Sequence, residues 1–525
     1  MKQETKKILF ILLLAIISSI PIFYNNKTMF LGHDTVFHLK RILGVVDNIS
    51  ILKALPVYYN YLNHFGYGNG LFYPDIFLYI PAILNKLGIS IINSYKIFIF
   101  IINILSIISI KICLKKITKN ENTTKIGMIL YATSLYRFTD MYIRGAIGES
   151  LTFIFLPLII LGLYKIFYDN YKEGYYLTIG LVGIMLSHII TLYLIIYVIF
   201  FFTIFNYKCL KDKKRLIELI INILFSILIT SFFWLPMLEQ LMTDKFNLKS
   251  HIIIFENCMP IWKLLIDFEY CTDTKWFPAG IGLIYFMLIP LFIKTKEKNK
   301  FVNSLLIICI SSIILSCSKT LWKIPFLYKL LSIIQIPWRF QSLSTICIII
   351  VTCHFFKNSQ MNIIKKATIM YTTVLFAINC ILIFPLSNIK INVNNYEDEI
   401  MFGEYLPIEL KDDYENIINN YKNKNIEYKY EKEKLLIDVV GKTENIELPL
   451  IYYKGYVAET NEKELEINKS ARGLVNVKIN KDTEKITVYY KETTIGKVGK
   501  IITIMSTLIY CIIKKYIHNK KNMIK

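Results

Sequence analysis

Just past its first apolar stretch the chain reads Gly32-His33-Asp34-Thr35-Val36-Phe37-His38-Leu39-Lys40-Arg41. In a helix over 35–50, Asp34, His38 and Arg41 recur at i, i+4 and i+7 and share one face. A carboxylate, an imidazole and a guanidinium so grouped can orient or deprotonate a hydroxyl and hold an anion. Leu39, Ile42, Leu43 and Val46 form an apolar stripe beside them. The helix is therefore expected to lie in a membrane interface with its polar face turned to a cavity at headgroup level. An N-capping Asp34 on a solvated amphipathic helix is the plainer alternative.

Arginine is rare: six positions among 61 basic residues. A chain that otherwise writes Lys keeps Arg where a planar, permanently charged fork is needed. Arg41, Arg144 and Arg339 are expected at the outer membrane face, where three guanidiniums suit a phosphate or pyrophosphate headgroup. Interfacial anchoring is the bland alternative for each. Arg137 falls inside an expected span, Arg215 in a Lys-rich loop and Arg472 in a C-terminal domain.

Glu149, in Arg144-Gly145-Ala146-Ile147-Gly148-Glu149-Ser150, begins a span, and His188, in Leu186-Ser187-His188, ends one. Ionisable groups there are costly unless they face a polar cavity, which makes both candidates. A helix-start acid and a packing histidine are the plain readings. A divalent metal is possible, with Asp34 and His38, joined by Glu149 and His188, as donors of suitable type; the spacing does not demand it. The run from Asn63 to Asp75 carries three glycines among aromatic residues, Tyr73 included, and is expected to be a tight loop. Its rings could stack on a sugar or sit in the interfacial aromatic belt.

The elements that hold these residues are membrane helices. Of 525 residues, 54% are hydrophobic and 19% charged, more apolar and less charged than soluble proteins. The net charge of +22 resides in Lys clusters between apolar runs, which accounts for it as loop orientation and leaves no call for nucleic acid. Runs long enough to cross a bilayer lie at 8–24, 94–113, 126–143, 149–168, 174–189, 190–207, 216–238, 279–294, 301–318, 341–357, 367–387 and 498–513. The expected fold is thus an α-helical polytopic membrane protein of about 12 transmembrane helices, with both termini cytoplasmic. The first run has no small-residue cleavage site after it and is read as a retained helix, and 76–88 is left at the outer interface.

A transmembrane domain over 1–387 then carries a first outer loop at 25–93, and a further outer region falls at 239–278. Residues 388–497 change to period-2 alternation, as at 434–440, 448–453, 474–479 and 485–490, and are expected to form an extracytoplasmic, sandwich-like β domain. The last helix and a basic cytoplasmic tail complete the chain at 498–525. The ten cysteines show no metal spacing, and a Cys258–Cys271 disulfide and free thiols are both open.

The motifs GHDTVFHLKRI, GYGNGLFYPDIFLYIPAIL, RGAIGESLTFIFLPLIILGL, LSHI and IPWRF resemble those of the bacterial membrane proteins called 6-pyruvoyl-tetrahydropterin-synthase-related, and of the neighbouring YfhO-like family. GEYLP at 403–407, LPLIYYKGYVAE, GLVNVKI and VYYKETTIGKVG extend the resemblance over nearly the whole chain. It implies the GT-C fold of membrane glycosyltransferases, which use polyprenyl-phosphate sugars at the outer face and keep an acid in the first outer loop. Asp34 occupies that place, and Glu149 would be a second site acid. His38, Arg41, Arg144, His188 and Arg339 match motif positions without assigned roles. His33 stands where some GT-C enzymes have a further acid. No pterin-synthase zinc triad is visible.

The expected function is therefore sugar transfer from a polyprenyl-phosphate-linked donor to an envelope glycan or lipid acceptor, in contact with membrane lipids. The alternatives are a lipid-linked sugar carrier or flippase, and a non-catalytic scaffold for envelope assembly.

Overall fold

The computed structural model describes residues 2–24, 32–50, 53–54, 56–248, 254–265, 280–295, 299–357, 362–384, 403–410 and 413–522, apart from 432, 442, 461–462 and 481–482. Cys271 and residues 385–402 lie outside these, and with them the Cys258–Cys271 pairing and the start of the C-terminal domain.

Among the described residues, six helices are long and apolar enough to cross a membrane: Ile91–Thr118, Ile147–Tyr168, Lys300–Cys317, Pro337–Phe356, Asn362–Ile383 and Thr494–Tyr516. A seventh span is formed if Lys213–Ile229 and Ser231–Thr243, bent by 68°, count as one. Four apolar helices are shorter: Ile76–Lys86, Ile189–Phe205, Leu283–Lys294 and Pro325–Ile334. Ile91–Thr118 shows how the sequence sets the ends. Ser90 Oγ accepts from Asn93 N, while Lys115 and Lys116 sit in the last turn before Lys119 turns left-handed.

The expected span 126–143 is not one helix. Glu121–Ala132 stops where Thr133 Oγ1 bonds back to Ile129 O (2.9 Å) and Ser134 Oγ to Tyr131 O (2.9 Å), hydroxyls competing with the helical ladder. A short helix, Leu135–Phe138, and a π turn, Thr139–Ile143, follow. The break turns Asp140 and Arg144 into the protein interior.

Every expected strand of the C-terminal domain forms. One antiparallel sheet runs in the order Ile426–Glu431, Lys434–Val439, Lys485–Tyr490, Tyr456–Thr460, Lys463–Leu465, and a second in the order Asn445–Ile451, Leu474–Lys478, Ile467–Lys469. Alternate residues such as Leu435, Ile437, Ile486 and Val488 are buried, as the alternation requires.

This domain packs on residues 56–75. Ile451 N donates to Phe65 O (2.8 Å) and Tyr490 N to Tyr59 Oη (2.7 Å). The aromatic run therefore forms no interfacial belt: Tyr58, Tyr61, Phe65, Tyr67 and Phe72 are all buried. It is a tight loop, with Leu62, Asn63, His64 and Gly66 at positive φ, closed by one helical turn, Asn69–Phe72.

Candidate functional site

Helix Thr35–Asn48 forms as expected, but its polar face is turned into protein: His38, Lys40 and Arg41 are buried with Leu39 and Ile42. The residues before it are sewn to the turn before helix Ile147–Tyr168. His33 N donates to Ile143 O (3.3 Å) and Asp34 N to Arg144 O (2.7 Å). Gly32 and Gly145 permit this approach. A Cβ on Gly32 would lie 2.7 Å from Gly145 N, and Gly145, at φ +65°, leaves room for Thr35.

Three acids converge on two arginines at this seam. Arg144 Nη1 lies 2.6 Å from Glu149 Oε2 and also binds Asp140 Oδ1, while its Nη2 is 3.9 Å from Asp34 Oδ2. Arg339 Nε is 3.3 Å from the same Glu149 oxygen. Tyr136 Oη donates to Glu149 Oε1 (2.9 Å) and Ser150 Oγ to Asp140 Oδ2 (3.3 Å). Trp338 covers the Arg144 guanidinium, 4.4 Å from ring centroid to Cζ. Glu149 and Asp140 are fully enclosed, whereas the Asp34 side chain keeps 23% of its surface exposed. Asp34 is the most exposed acid of this cluster.

Arg41 takes a separate partner. Its Nη2 contacts Asp75 Oδ1 (2.6 Å) and Pro74 O (3.0 Å), its Nη1 lies 3.3 Å from His38 Nδ1, and Tyr58 Oη binds the other Asp75 oxygen. Burial holds His38 well below the ordinary imidazole range, with Arg41, His188 and Arg144 adding to it. Burial also raises Asp75, against the pull of Arg41 and Tyr58.

Tyr73 joins the two groups. Its ring centroid is 3.7 Å from Arg41 Cζ and 6.2 Å from the His188 ring, and its hydroxyl packs where a Cβ on Gly148 would stand. His188 precedes helix Ile189–Phe205 and bonds through Nδ1 to Thr191 Oγ1 (2.8 Å). All eight expected site residues therefore fall in one connected region, in two charged groups bridged by Tyr73.

On the far side of Asp75 lies a cavity of about 870 Å³, lined among others by Tyr58, Tyr79, Phe232, Lys434, Tyr490 and Lys497. It is bounded by the first loop, the bent helix pair and the β domain.

Among the described residues no three His, Cys, Asp or Glu side chains converge as a metal site. The donor chemistry does not fit one either: arginines hold one oxygen of Glu149 and one of Asp140, Tyr136 and Ser150 hold the others, and Arg41 crowds His38.

Sequence reasoning missed Asp140, Tyr136, Trp338, Asp75 and Glu404. Asp140 stands at i−4 from Arg144, a readable ion-pair spacing hidden by the assumption of a continuous span. Arg137 is a packing residue, its Nη2 on Asn103 Oδ1.

The fold and this seam define an integral membrane protein with a buried acid–arginine cluster and, on the far side of Asp75, a half-open cavity. Residues 71–393 match the model of the 6-pyruvoyl-tetrahydropterin synthase related domain, a membrane protein family, and the chain belongs to that family. It is also similar, at 24% identity over 97% of its length and 95% of the relative's, to an uncharacterized protein of Lactococcus lactis subsp. cremoris (strain MG1363).

Proposed function

We propose that the protein is a GT-C-like, YfhO-like glycosyltransferase that moves a sugar from a polyprenyl-phosphate donor to an envelope glycan or lipid at the outer membrane face. The observation that carries this reading is the position of Asp34: a partly exposed carboxylate, 3.9 Å from Arg144, backed by a second arginine, Arg339. Asp34 binds the acceptor hydroxyl and orients or deprotonates it. Arg144 and Arg339 meet the phosphate charge that grows as the glycosidic bond breaks, in surroundings that exclude most water. Glu149 serves as the second site acid by fixing both guanidiniums from behind.

Arg41 and His38 act through Tyr73, whose ring borders the sugar's path beside His188. The cavity beyond Asp75, with its aromatic walls and mixture of Lys and Glu side chains, suits a glycan acceptor, which the β domain encloses. In this reading the β domain is extracytoplasmic, both termini are cytoplasmic and the chain crosses the membrane many times. No metal is assigned a step.

Comparison of envelope glycans in a deletion strain and its parent tests the proposal. Loss of one sugar substituent, with its polyprenyl-phosphate carrier accumulating, is the expected result. An unchanged glycan, or a carrier confined to the inner leaflet, overturns it in favour of no transfer or of transport.

A further inference from the structure

The segment Gly403–Pro407 lies ahead of the first strand of the β domain, Ile426–Glu431, bridges to Phe246 and packs on the first loop at Tyr67. Its backbone is bent: Gly403 has φ +63° and Tyr405, with a full side chain, φ +64°. A non-glycine residue keeps that conformation only where its surroundings enforce it. Here Asn247 Nδ2 donates to Gly403 O (3.0 Å), Tyr405 N to Asn247 O (2.8 Å) and Asn247 N to Leu406 O (2.8 Å). Tyr67 Oη donates to Glu404 O (2.9 Å) and Tyr453 Oη to Tyr405 O (3.2 Å). The Tyr405 ring lies flat on Phe72, 5.4 Å between centroids and 5° between planes.

This clamp fixes the one residue between the two bent positions, Glu404. Its carboxyl is brought within electrostatic reach of Asp34 from the first outer loop and Arg339 from the start of a span. It has no ion pair among the described residues.

We propose that Glu404 is the group that accepts the acceptor's proton, so that the C-terminal segment completes the site. This rests on the transferase reading above. The acceptor O–H bond breaks and its proton passes to a Glu404 carboxylate oxygen. The acceptor oxygen bonds to the sugar's anomeric carbon, and the bond from that carbon to the phosphate oxygen breaks. The electron pair leaves with the polyprenyl phosphate, which Arg144 and Arg339 receive. Asp34 then orients the hydroxyl without taking its proton.

Burial raises the Glu404 carboxyl, with Arg339 opposing and Asp34 adding, to about 7. A general base works best with its pKa near the working pH.

The test uses the deletion strain carrying the full chain, Glu404→Gln, Glu404→Asp or Asp34→Asn. Envelope glycans are analysed, and isolated membranes are given undecaprenyl-phosphate-linked hexoses and the strain's own wall fraction between pH 5.5 and 8.5. The unaltered chain should transfer faster as pH rises through about 7. Glu404→Gln should lose roughly a hundredfold or more and lose that rise. Glu404→Asp should retain transfer with the rise moved along the pH axis. If Glu404→Gln does not accumulate, the Glu404→Asp profile decides, and an unmoved rise overturns the assignment. Full transfer by Glu404→Gln with an unaltered profile, while Asp34→Asn is inactive, removes Glu404 alone. Full transfer by Asp34→Asn, or glycans unchanged on deletion, removes the transferase reading and this inference with it.

Discussion

The backbone amide of Asp34 donates to the carbonyl of Arg144 at 2.7 Å. One hydrogen bond thus ties the partly exposed acid of the first loop to the arginine that serves Glu149 and Asp140, and it forms only because two glycines let the segments meet. Gly145→Ala should break this seam: the new methyl would stand 2.1 Å from Thr35 Oγ1 at a left-handed φ. A displacement of about 1 Å can cost about a hundredfold in rate. Gly145→Ala should therefore lower transfer by that order while still accumulating in the membrane, as assayed by glycan labelling and immunoblot. Normal transfer would show that the seam does not set the geometry.

Glu149 is enclosed and holds two guanidiniums. Replacing it with leucine leaves buried cations short of a partner, a change that costs about 3–5 kcal/mol. Thermal unfolding of the detergent-purified protein should show Glu149→Leu markedly less stable than the parent, whereas Lys485→Ala, on an 82% exposed side chain, should match it. Equal stability of all three would mean that Glu149 does not hold the cluster.

Much of this region was readable in the sequence because the chain spends arginine so sparingly. Arg41, Arg144 and Arg339 each mark a real charged contact, and the period-2 runs at 434–439 and 485–490 are strands. The errors have physical causes. Apolar length alone cannot reveal that Thr133 and Ser134 divert the helix, so Asp140 was hidden inside an expected span. The aromatic run looked like an interfacial belt because its cover, the β domain, arrives hundreds of residues later in the chain. GEYLP marks Glu404 as a motif residue without a role, because only tertiary docking through Asn247 and Tyr67 brings its segment onto the first loop.

Orientation can be read by thiol labelling. Lys485→Cys, on the β domain, should react with a membrane-impermeant maleimide in intact cells, and Lys213→Cys, at the exposed start of helix Lys213–Ile229, only after lysis. Reaction of the parent chain, whose Cys511 is exposed, supplies the background. The reverse pattern would put the Asp34 cluster on the cytoplasmic side and contradict transfer at the outer face.

Stability should also respond to Glu404. Its folded carboxyl stands at about 7 against an ordinary 4.5. Between those values the folded chain holds a proton that the unfolded chain releases, so this contribution favours the fold at the acid end and is lost as pH rises through about 7. From pH 5 to pH 8 the parent should lose roughly 1–3 kcal/mol more than Glu404→Gln. Parallel melting curves for the two proteins across that range would contradict a raised Glu404 carboxyl.

The central claim is tested most directly by linkage analysis of envelope glycans in a deletion strain restored with either the unaltered chain or Asp34→Asn, at matched protein levels. The account predicts that one sugar substituent disappears on deletion, returns with the unaltered chain and stays absent, by a factor of about a hundred or more, with Asp34→Asn. Full restoration by Asp34→Asn would contradict it.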